Sequence, residues 1–350
     1  MKALVTVAKG KVEVQEVSKP KLRDGHVLVK VKAVGLNPAD WKNIDNQTTP
    51  GMRVGLDYSG VVEELGNGVT QFKPGDRIAG WVCGGNRLQP ESGAFGEYTI
   101  AKAALQIKVP DNITDEQAAT FGVSLSTVAQ GLYKVLSLPW PNSPAPAPGP
   151  PILIYGGSTA TGIYGIQFAK ASGLTVLATA SPHNFAYLRD LGADAVFDYH
   201  SPTCAADIKA HTANKLRFAW DCSGHGAAVC AGALSDDEEG ARPRYATIIP
   251  IDRAQVESVN PRVDGPHFHL AYCVLGEQFE MAGKKWDVDP KEMEHAEKVL
   301  RLVPGLLERG VVRPVRTIGG EGKRGLEGVV EGLDELRGGR VSAGKLVYTL

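Results

Sequence analysis

The chain has 350 residues, of which 43% are hydrophobic and 22% charged, an ordinary globular composition with enough material for roughly two domains. The formal net charge of −1, without any basic run, argues against nucleic acid or an anionic membrane surface as a partner. Five scattered cysteines without a CxxC pair indicate free thiols in a reducing compartment.

The N-terminus is too short and too charged a segment for a signal peptide. No uninterrupted apolar stretch reaches the ~20 residues that span a bilayer. We therefore expect a cytoplasmic protein.

The first part of the chain is rich in short strands. Residues 27–34 alternate between apolar and polar positions, and residues 61–65 end at the turn Gly66-Asn67-Gly68. A second turn at residues 73–77 precedes another apolar run. This punctuation predicts a barrel-like β domain over residues 1–125.

The pattern changes after Thr114, which is expected to be the N-cap of a helix that begins at Asp115. The proline-rich residues 139–151 cannot sustain a helix or a central strand, so they predict an exposed loop. A proline-motif ligand for another domain is the alternative interpretation.

From Ile152 onward, strands alternate with helices. The predicted strands are 152–155, 174–180, 195–199, 217–221 and 245–249, and the first helices are 162–171 and 184–191. Such alternation is typical of an α/β fold with a doubly wound parallel sheet, here over residues 126–285. Helices at 290–309 and 325–336 and a strand at 345–348 predict that residues 286–350 rejoin the N-terminal domain.

The segment 155–162, Tyr-Gly-Gly-Ser-Thr-Ala-Thr-Gly, follows a short apolar strand and opens a helix. In that context glycines let the backbone approach a pyrophosphate at a helix N-terminus. The segment departs from GxGxxG, because Thr159 and Ala160 stand where glycine is common. Simple turn chemistry is the alternative interpretation.

The end of the second strand predicts the coenzyme. In NAD-binding units an acidic residue about 20 residues after the glycines binds the ribose hydroxyls. Here Ser181, Pro182, His183 and Asn184 follow the strand, and no acid occurs before Asp190. Because a carboxylate would repel a 2′-phosphate whereas the side chains of Ser181, His183 and Asn184 offer donors, we favour NADPH. The alternative is that they only cap the next helix.

No metal site is expected. The possible ligands are Cys83, His183, His225, His267 and His269. They show no zinc spacing, so His267 and His269 are interpreted as loop or core histidines. Residues 122–126 lack features of a nucleophile elbow, which argues against a hydrolase.

Six motifs occur in an order that resembles the medium-chain dehydrogenase/reductase superfamily. They lie at residues 34–42, 55–62, 75–78, 93–98, 191–194 and 344–347. The resemblance covers essentially the whole chain and implies a GroES-like β-rich catalytic domain plus a Rossmann NADPH-binding domain. Zinc alcohol dehydrogenases carry a cysteine near position 39 and Gly-His-Glu where this chain has Gly55-Leu56-Asp57. Their loss implies a zinc-free reductase of enoyl or quinone acceptors.

One subgroup is more similar. Residues 155–161, 181–184 and 197–199, with the proline-rich insertion, resemble fungal trans-acting enoyl reductases of the lovastatin enoyl reductase type. The resemblance implies a secondary-metabolism oxidoreductase acting on CH–CH bonds. It would use NADPH to reduce the α,β-unsaturated thioester of a polyketide carried by a partner polyketide synthase or synthase–peptide synthetase hybrid. It also implies a monomer, although quinone reductases of this fold often dimerise.

The resemblance also implies site residues. In chain order, the cofactor residues are expected near the nicotinamide end, at the pyrophosphate, around the adenosine phosphate and beside the nicotinamide, and the last two come from the C-terminal segment. They are Ala39, Asp40, Trp41, Lys42, Ser158, Thr159, Ala160, Thr161, Ser181, Pro182, His183, Asn184, Tyr199, Ile249, Pro250, Val341 and Ser342. Those for the substrate are Val128, Ala129, Gly131, Leu132, Val135, Cys273, Val274, Leu275, Gly276 and Glu277. For the substrate residues, core helix and core strand are the alternative interpretation.

The implied chemistry is conjugate hydride addition, with an enolate oxygen that the protein must stabilise and a proton that must reach the α-carbon. Lys42 is the candidate for a donor or positioning role, and a solvated surface lysine is the alternative. Two other functions stay open. One is a stand-alone NADPH-dependent quinone or enone reductase, and the other is a non-catalytic NADPH-binding scaffold.

Overall fold

The computed structural model describes residues 1–46, 49–141, 149–281, 284–319 and 325–350. The strands are β1 (Lys2–Ala8), β2 (Lys11–Glu16), β3 (His26–Gly35), β4 (Asp57–Leu65), β5 (Arg77–Trp81), β6 (Tyr98–Lys102), β7 (Ile107–Lys108), β8 (Pro151–Tyr155), β9 (Thr175–Ala180), β10 (Ala195–Asp198), β11 (Phe218–Asp221), β12 (Arg244–Thr247), β13 (Asp264–Phe268), β14 (Phe279–Met281), β15 (Lys284–Trp286), β16 (Thr317–Ile318) and β17 (Lys345–Thr349).

The α-helices are α1 (Pro38–Asn46), α2 (Asp115–Ala118), α3 (Gly122–Val128), α4 (Ala160–Ala171), α5 (Phe185–Asp190), α6 (Cys204–His211), α7 (Ala227–Ala233), α8 (Arg253–Glu257), α9 (Pro290–Leu300), α10 (Val303–Glu308) and α11 (Gly325–Arg337). Short 3-10 turns lie at Ala103–Leu105, Pro182–Asn184 and Ala271–Leu275, and a π-helical segment at Ala129–Val135. Residues 142–148 of the predicted proline-rich loop lie outside the described residues.

Tertiary contacts divide the chain into two units. Unit 1 comprises Met1–Ser126, Ala271–Gly310 and Pro314–Leu350, and unit 2 comprises Thr127–Leu270 and Val311–Arg313. Residues 271–285, which the sequence analysis assigned to the nucleotide-binding domain, therefore group with unit 1. The physical reason is Tyr272, whose ring meets that of Trp81 edge-on at 5.4 Å and whose hydroxyl accepts a hydrogen bond from Asn43 Nδ2 (2.8 Å).

Unit 1 is built around a curled, mainly antiparallel sheet with strand order β16-β17-β3-β4-β5-β7, in which β6 also pairs with β3. Alternate residues of a strand lie on the same face of a sheet, and Val27, Val29 and Val31 of β3 all lie in the hydrophobic core of unit 1. The C-terminal strand β17 adds to β3, with Val347 opposite Gly35. The predicted N-cap Thr114 is confirmed and forms a capping box at the start of α2.

Unit 2 is a six-stranded parallel sheet with order β10-β9-β8-β11-β12-β13, a Rossmann-like arrangement. The α/β fold with a doubly wound parallel sheet is thus confirmed. Strand β13 was not predicted from the sequence, because Gly265 and Pro266 interrupt its pattern. Strand order reverses between β8 and β11, where parallel sheets of this kind place their ligands.

One helix prediction needs correction. The predicted helix 290–309 is broken between α9 and α10, because Pro304 lies in the first turn of α10 and cannot continue a preceding helix. The segment Ala129–Val135, which contains predicted substrate residues, is π-helical and continues α3.

Candidate cofactor-binding and active site

The loop after β8 has the geometry of a dinucleotide-binding loop. The chain leaves the buried strand at Gly156, whose φ of +73° is left-handed. The N–H of Gly156 donates to Thr179 Oγ1 (3.0 Å), and the N–H of Gly157 donates to the Thr179 carbonyl (2.9 Å). The neighbouring strand β9 therefore fixes where the loop lies.

Helix α4 begins at the end of this loop. Thr159 is its N-cap, and Thr159 Oγ1 accepts the N–H of Gly162 (3.0 Å). A Cβ at Gly162 would lie 2.4 Å from the Gly156 carbonyl oxygen, so the close approach requires glycine. The first turn of a helix leaves N–H groups without intrahelical acceptors, and the helix dipole favours an anion there. The half-buried residues 158–161 therefore fit a pyrophosphate.

The ends of β9 and β10 bring Ser181 and Tyr199 together. Because Ala180 pairs with Asp198 in the parallel ladder, the next residues leave the sheet side by side, and Ser181 Oγ lies 3.3 Å from the Tyr199 hydroxyl. Pro182 and His183 are exposed on the following turn.

The neighbouring Asn184 is buried. Neither Ser181 nor Asn184 caps the following turn or helix with its side chain, so the capping interpretation is not supported. The hydroxyls of Ser181 and Tyr199 are consequently the donors that the sheet edge presents together.

The structure adds a loop that the sequence analysis missed. Asp221, fully buried at the end of β11, lies beside the reversal of strand order. Its Oδ1 accepts the N–H groups of Ser223 and Gly224 (both 2.8 Å), and its Oδ2 accepts that of Gly226 (2.7 Å). A signal was present, since two glycines follow a buried strand here as they do after β8.

Ile249 and Pro250 are exposed beyond β12, because the predicted strand 245–249 already ends at Thr247. Gly224 has a φ of +80°, and a Cβ there would lie 2.4 Å from Ile249 Cβ. Ile249 thus packs against the loop after β11. Its role beside the nicotinamide stays a prediction that this position supports.

In unit 1, helix α1 carries four of the predicted cofactor residues. Ala39 and Trp41 are half-buried, and Lys42 is exposed with its Nζ 5.6 Å from the centre of a Trp41 ring. Solvent exposure of the ammonium fits the surface-lysine interpretation of Lys42. Its donor role stays a prediction.

Asp40 is the buried member of this set. Its Oδ2 accepts the N–H of Asn37 (2.7 Å), whereas its Oδ1 is buried without a hydrogen-bond partner in the described ranges. Burial raises the pKa of Asp40 to about 8; the hydrogen bond from Asn37 opposes this, and the nearby charge of Asp57 adds to it. The carboxyl group is therefore mostly protonated at neutral pH.

A buried ion pair lies where zinc dehydrogenases carry Gly-His-Glu. Asp57 is fully buried, and its Oδ2 accepts a hydrogen bond from the ammonium of Lys345, which also donates to Asn37 Oδ1 (2.9 Å). Asp57 Oδ1 accepts the N–H of Val123 (2.8 Å). Leu56 offers no ligand atom, and the carboxylate is already bound by donors of the chain itself. These residues therefore do not fit a catalytic zinc.

The remaining C-terminal cofactor residues precede β17. Val341 is half-buried and Ser342 exposed. Their assignment to the cofactor stays a prediction.

The predicted substrate residues of unit 2 are mainly core residues. Val128, Ala129, Gly131 and Leu132 are buried, and only Val135 is half-buried. A Cβ at Gly131 would lie 2.4 Å from the indole of Trp220, in the same unit. This packing fits the core-helix interpretation, and a substrate contact stays a prediction.

The predicted substrate residues of unit 1 form a 3-10 turn and the segment after it. Val274 is fully buried, whereas Cys273, Leu275, Gly276 and Glu277 are half-buried. Leu275 and Glu277 line part of a pocket whose other walls include Trp81, Cys83 and Lys102.

Glu277 is bound by donors of unit 1. Its carboxylate accepts from Lys102 Nζ (2.8 Å) and Gln89 Nε2 (2.7 Å) and lies 3.1 Å from His26 Nε2. Burial alone would raise the pKa of Glu277, but the hydrogen bonds from His26, Lys102 and Gln89 outweigh burial and hold it far below its usual range. Glu277 is thus a permanent anion that anchors the segment.

In the part of the chain that the structure describes, no group of three or more His, Cys, Asp or Glu side chains could hold a metal ion. His269 is a core histidine that accepts a hydrogen bond from Trp220 Nε1 (2.9 Å), and burial lowers its pKa to about 3. His267 Nε2 lies 3.1 Å from Asp264. All five cysteines are free thiols. Among the described helices, none has both the length and the apolar character needed to cross a membrane.

Comparison with known families supports this geometry. Residues 23–111 match the alcohol dehydrogenase GroES-like domain, and residues 160–234 match the family described as zinc-binding dehydrogenase. Solved structures share the fold over the whole chain. A putative zinc-dependent alcohol dehydrogenase from Rhizobium etli aligns with a TM-score of 0.80 at 23% identity, over 100% of this chain and 98% of that one. CurK enoyl reductase aligns with a TM-score of 0.76 at 18% identity, over 99% and 98%.

Relatives with higher sequence identity are fungal proteins. Trans-enoyl reductase resD of Aspergillus sclerotiorum is 42% identical over 99% of this chain and 99% of its own length. Trans-enoyl reductase ACTTS2 of Alternaria alternata is 39% identical over 100% and 98%. Trans-enoyl reductase TOXD of Cochliobolus carbonum is 44% identical over 74% and 85%. The chain belongs to the fungal trans-enoyl reductase family of the medium-chain dehydrogenase/reductase superfamily.

Proposed function

We propose that this protein is a trans-acting enoyl reductase of secondary metabolism. With NADPH it reduces the α,β-unsaturated thioester of a polyketide chain carried by a partner polyketide synthase. The observation that carries the proposal is the full-length similarity, at 42% identity, to a trans-enoyl reductase. The buried Asp57–Lys345 pair supports an enoyl reductase over a zinc alcohol dehydrogenase, because it fills the place of metal ligands.

NADPH is the proposed cofactor. A structural neighbour, a mycobacterial protein solved in complex with NADPH, aligns with a TM-score of 0.71 at 21% identity over 100% of both chains. In this chain the loop at residues 158–161 would hold the pyrophosphate, and the hydroxyls of Ser181 and Tyr199 would bind the adenosine phosphate. When bound, NADPH supplies the hydride that the reaction requires.

The chain's own residues position the reactants and hold a proton. Asp221 fixes the loop after β11, and that loop fixes Ile249 on the proposed nicotinamide side. Asp40 holds a proton at neutral pH inside unit 1. Positioning of the reactants commonly lowers the barrier of the chemical step by several kcal/mol.

We propose a monomer that acts in trans on carrier-bound chains in the cytoplasm. β13 lies at the edge of its sheet and contains Pro266, which has no N–H to offer to a strand of a second copy. The free cysteines fit a reducing compartment.

The test is to incubate the purified chain with NADPH and a crotonyl thioester and to follow the absorbance of reduced nicotinamide. We expect oxidation of NADPH that depends on the thioester. The variant Gly162→Ala should lose most of this activity, because its Cβ would meet the Gly156 carbonyl oxygen. Gly305→Ala is the matched control, since its Cβ meets only the flexible end of Arg309 at 3.1 Å.

Other outcomes would select the alternative functions. Rapid reduction of free quinones without reduction of any enoyl thioester would replace the proposal with a stand-alone quinone reductase. Stoichiometric NADPH binding without oxidation by any acceptor would favour a scaffold.

A further inference from the structure

His200 lies directly after Tyr199, at the sheet edge that the proposed function assigns to the adenosine phosphate. The imidazole and the Tyr199 ring are stacked with their centres 4.0 Å apart and their planes tilted by 33°. The Tyr199 hydroxyl lies 3.3 Å from Ser181 Oγ. The histidine is 61% exposed, so a ligand can reach it.

This edge of the sheet also carries a carboxylate. Asp198, the last residue of β10, stands opposite Ala180 in the ladder, so it lies level with the end of β9. In the sequence, the residues that follow β9 include no acid before Asp190. A second anion at this edge would repel a 2′-phosphate unless something neutralises it.

His200 is bonded to that carboxylate twice. Its backbone N–H donates to Asp198 Oδ1 (3.0 Å), and its ring Nδ1 lies 2.9 Å from the same oxygen. These hydrogen bonds hold the pKa of Asp198 below its usual range. Because an ionised carboxylate only accepts, Nδ1 carries the ring proton, and Nε2 is the ring atom left without a partner among the described residues.

We propose that His200 is a specificity-determining residue that selects NADPH over NADH. The imidazole is held by the Asp198 carboxylate and packs against the Tyr199 ring, and its Nε2 binds the 2′-phosphate. In the complex, Nδ1 donates to Asp198 and Nε2 donates to the 2′-phosphate, so the imidazole bridges the two anions. This inference rests on the proposed use of NADPH, and it concerns a residue outside the predicted adenosine-phosphate set.

The test compares binding rather than turnover. Affinities for NADPH, NADH, 2′,5′-ADP and 5′-AMP are measured by calorimetry for the unaltered chain, His200→Gln and His211→Gln. His211 is the matched control, an exposed histidine of α6 in the same unit, packed edge-on against Phe197. We expect His200→Gln to lower the affinity for NADPH and for 2′,5′-ADP about tenfold, which is the contribution of one charged hydrogen bond. The affinities for NADH and 5′-AMP should stay unchanged.

The double variant Asp198→Asn/His200→Gln should recover part of the lost NADPH affinity, because it also removes the repelling carboxylate. An equal loss for NADPH and NADH in His200→Gln would mean an adenine-stacking role and overturn the inference. Unchanged NADPH affinity in that variant would overturn it too. If the unaltered chain bound neither dinucleotide, the proposed cofactor and this inference would both fall.

Discussion

Replacement of Lys345 by methionine tests the buried ion pair. Lys345 is 2% exposed and Asp57 0%, so neither charge has water as an alternative partner. Among the described residues, Lys345→Met leaves the Asp57 carboxylate with the hydrogen bond from the Val123 N–H. Removing one partner of a buried pair costs about 3–5 kcal/mol. At roughly 2–4 °C per kcal/mol for a domain of this size, the Tm should fall by ~10 °C.

Two further variants separate charge from side-chain size. Asp57→Asn/Lys345→Met removes both charges, so most of the stability should return. Lys170→Met is the matched control, since its pair with Asp194 is 45% and 37% exposed and is worth less than about 1 kcal/mol. Thermal unfolding by circular dichroism, with hydrogen exchange of β4 and β17, measures the effect. The prediction is refuted if the Tm of Lys345→Met equals that of the control, or if the Tm of the double variant is as low as that of Lys345→Met.

The remaining predictions concern Asp40, the loop after β11 and the sheet edge. Because burial raises the pKa of Asp40 to about 8 from 3.8, its folded form keeps a proton that the unfolded chain loses, and stability is lost as pH rises from 4 to 8. Asp40→Asn should therefore stabilise the protein by up to about 4 kcal/mol at pH 7, and equal urea midpoint shifts at pH 4 and 7 would contradict this. Gly224→Ala should displace Ile249 and lower the affinity for NADPH about tenfold, a loss of ~1.4 kcal/mol, in a fluorescence titration. The affinity for 2′,5′-ADP should be unaffected. Light scattering should give the mass of one chain, because Pro266 blunts the edge strand; a stable dimer would refute that argument.

Local patterns in the sequence were sufficient for most elements. Strand–helix alternation after Ile152 predicts the parallel sheet, and the Gly-rich segment before α4 marks its first loop, because periodicity and turn chemistry depend on neighbours in sequence. The helix break at Pro304 was also readable in principle. The edge strand β13 was missed, since Gly265 and Pro266 are residue types of low β propensity.

The electrostatics of the site required the tertiary structure. Lys345 and Asp57 are separated by 288 residues, and only strand pairing in unit 1 brings them together. Asp198 is the last residue of β10, yet it lies level with the end of β9, just before Ser181, because the two strands pair in a fixed register. Sequence determined which residue types follow each strand. Which charges share an edge, and therefore which protons and anions that edge can hold, is decided by non-local pairing and by the burial that comes with it.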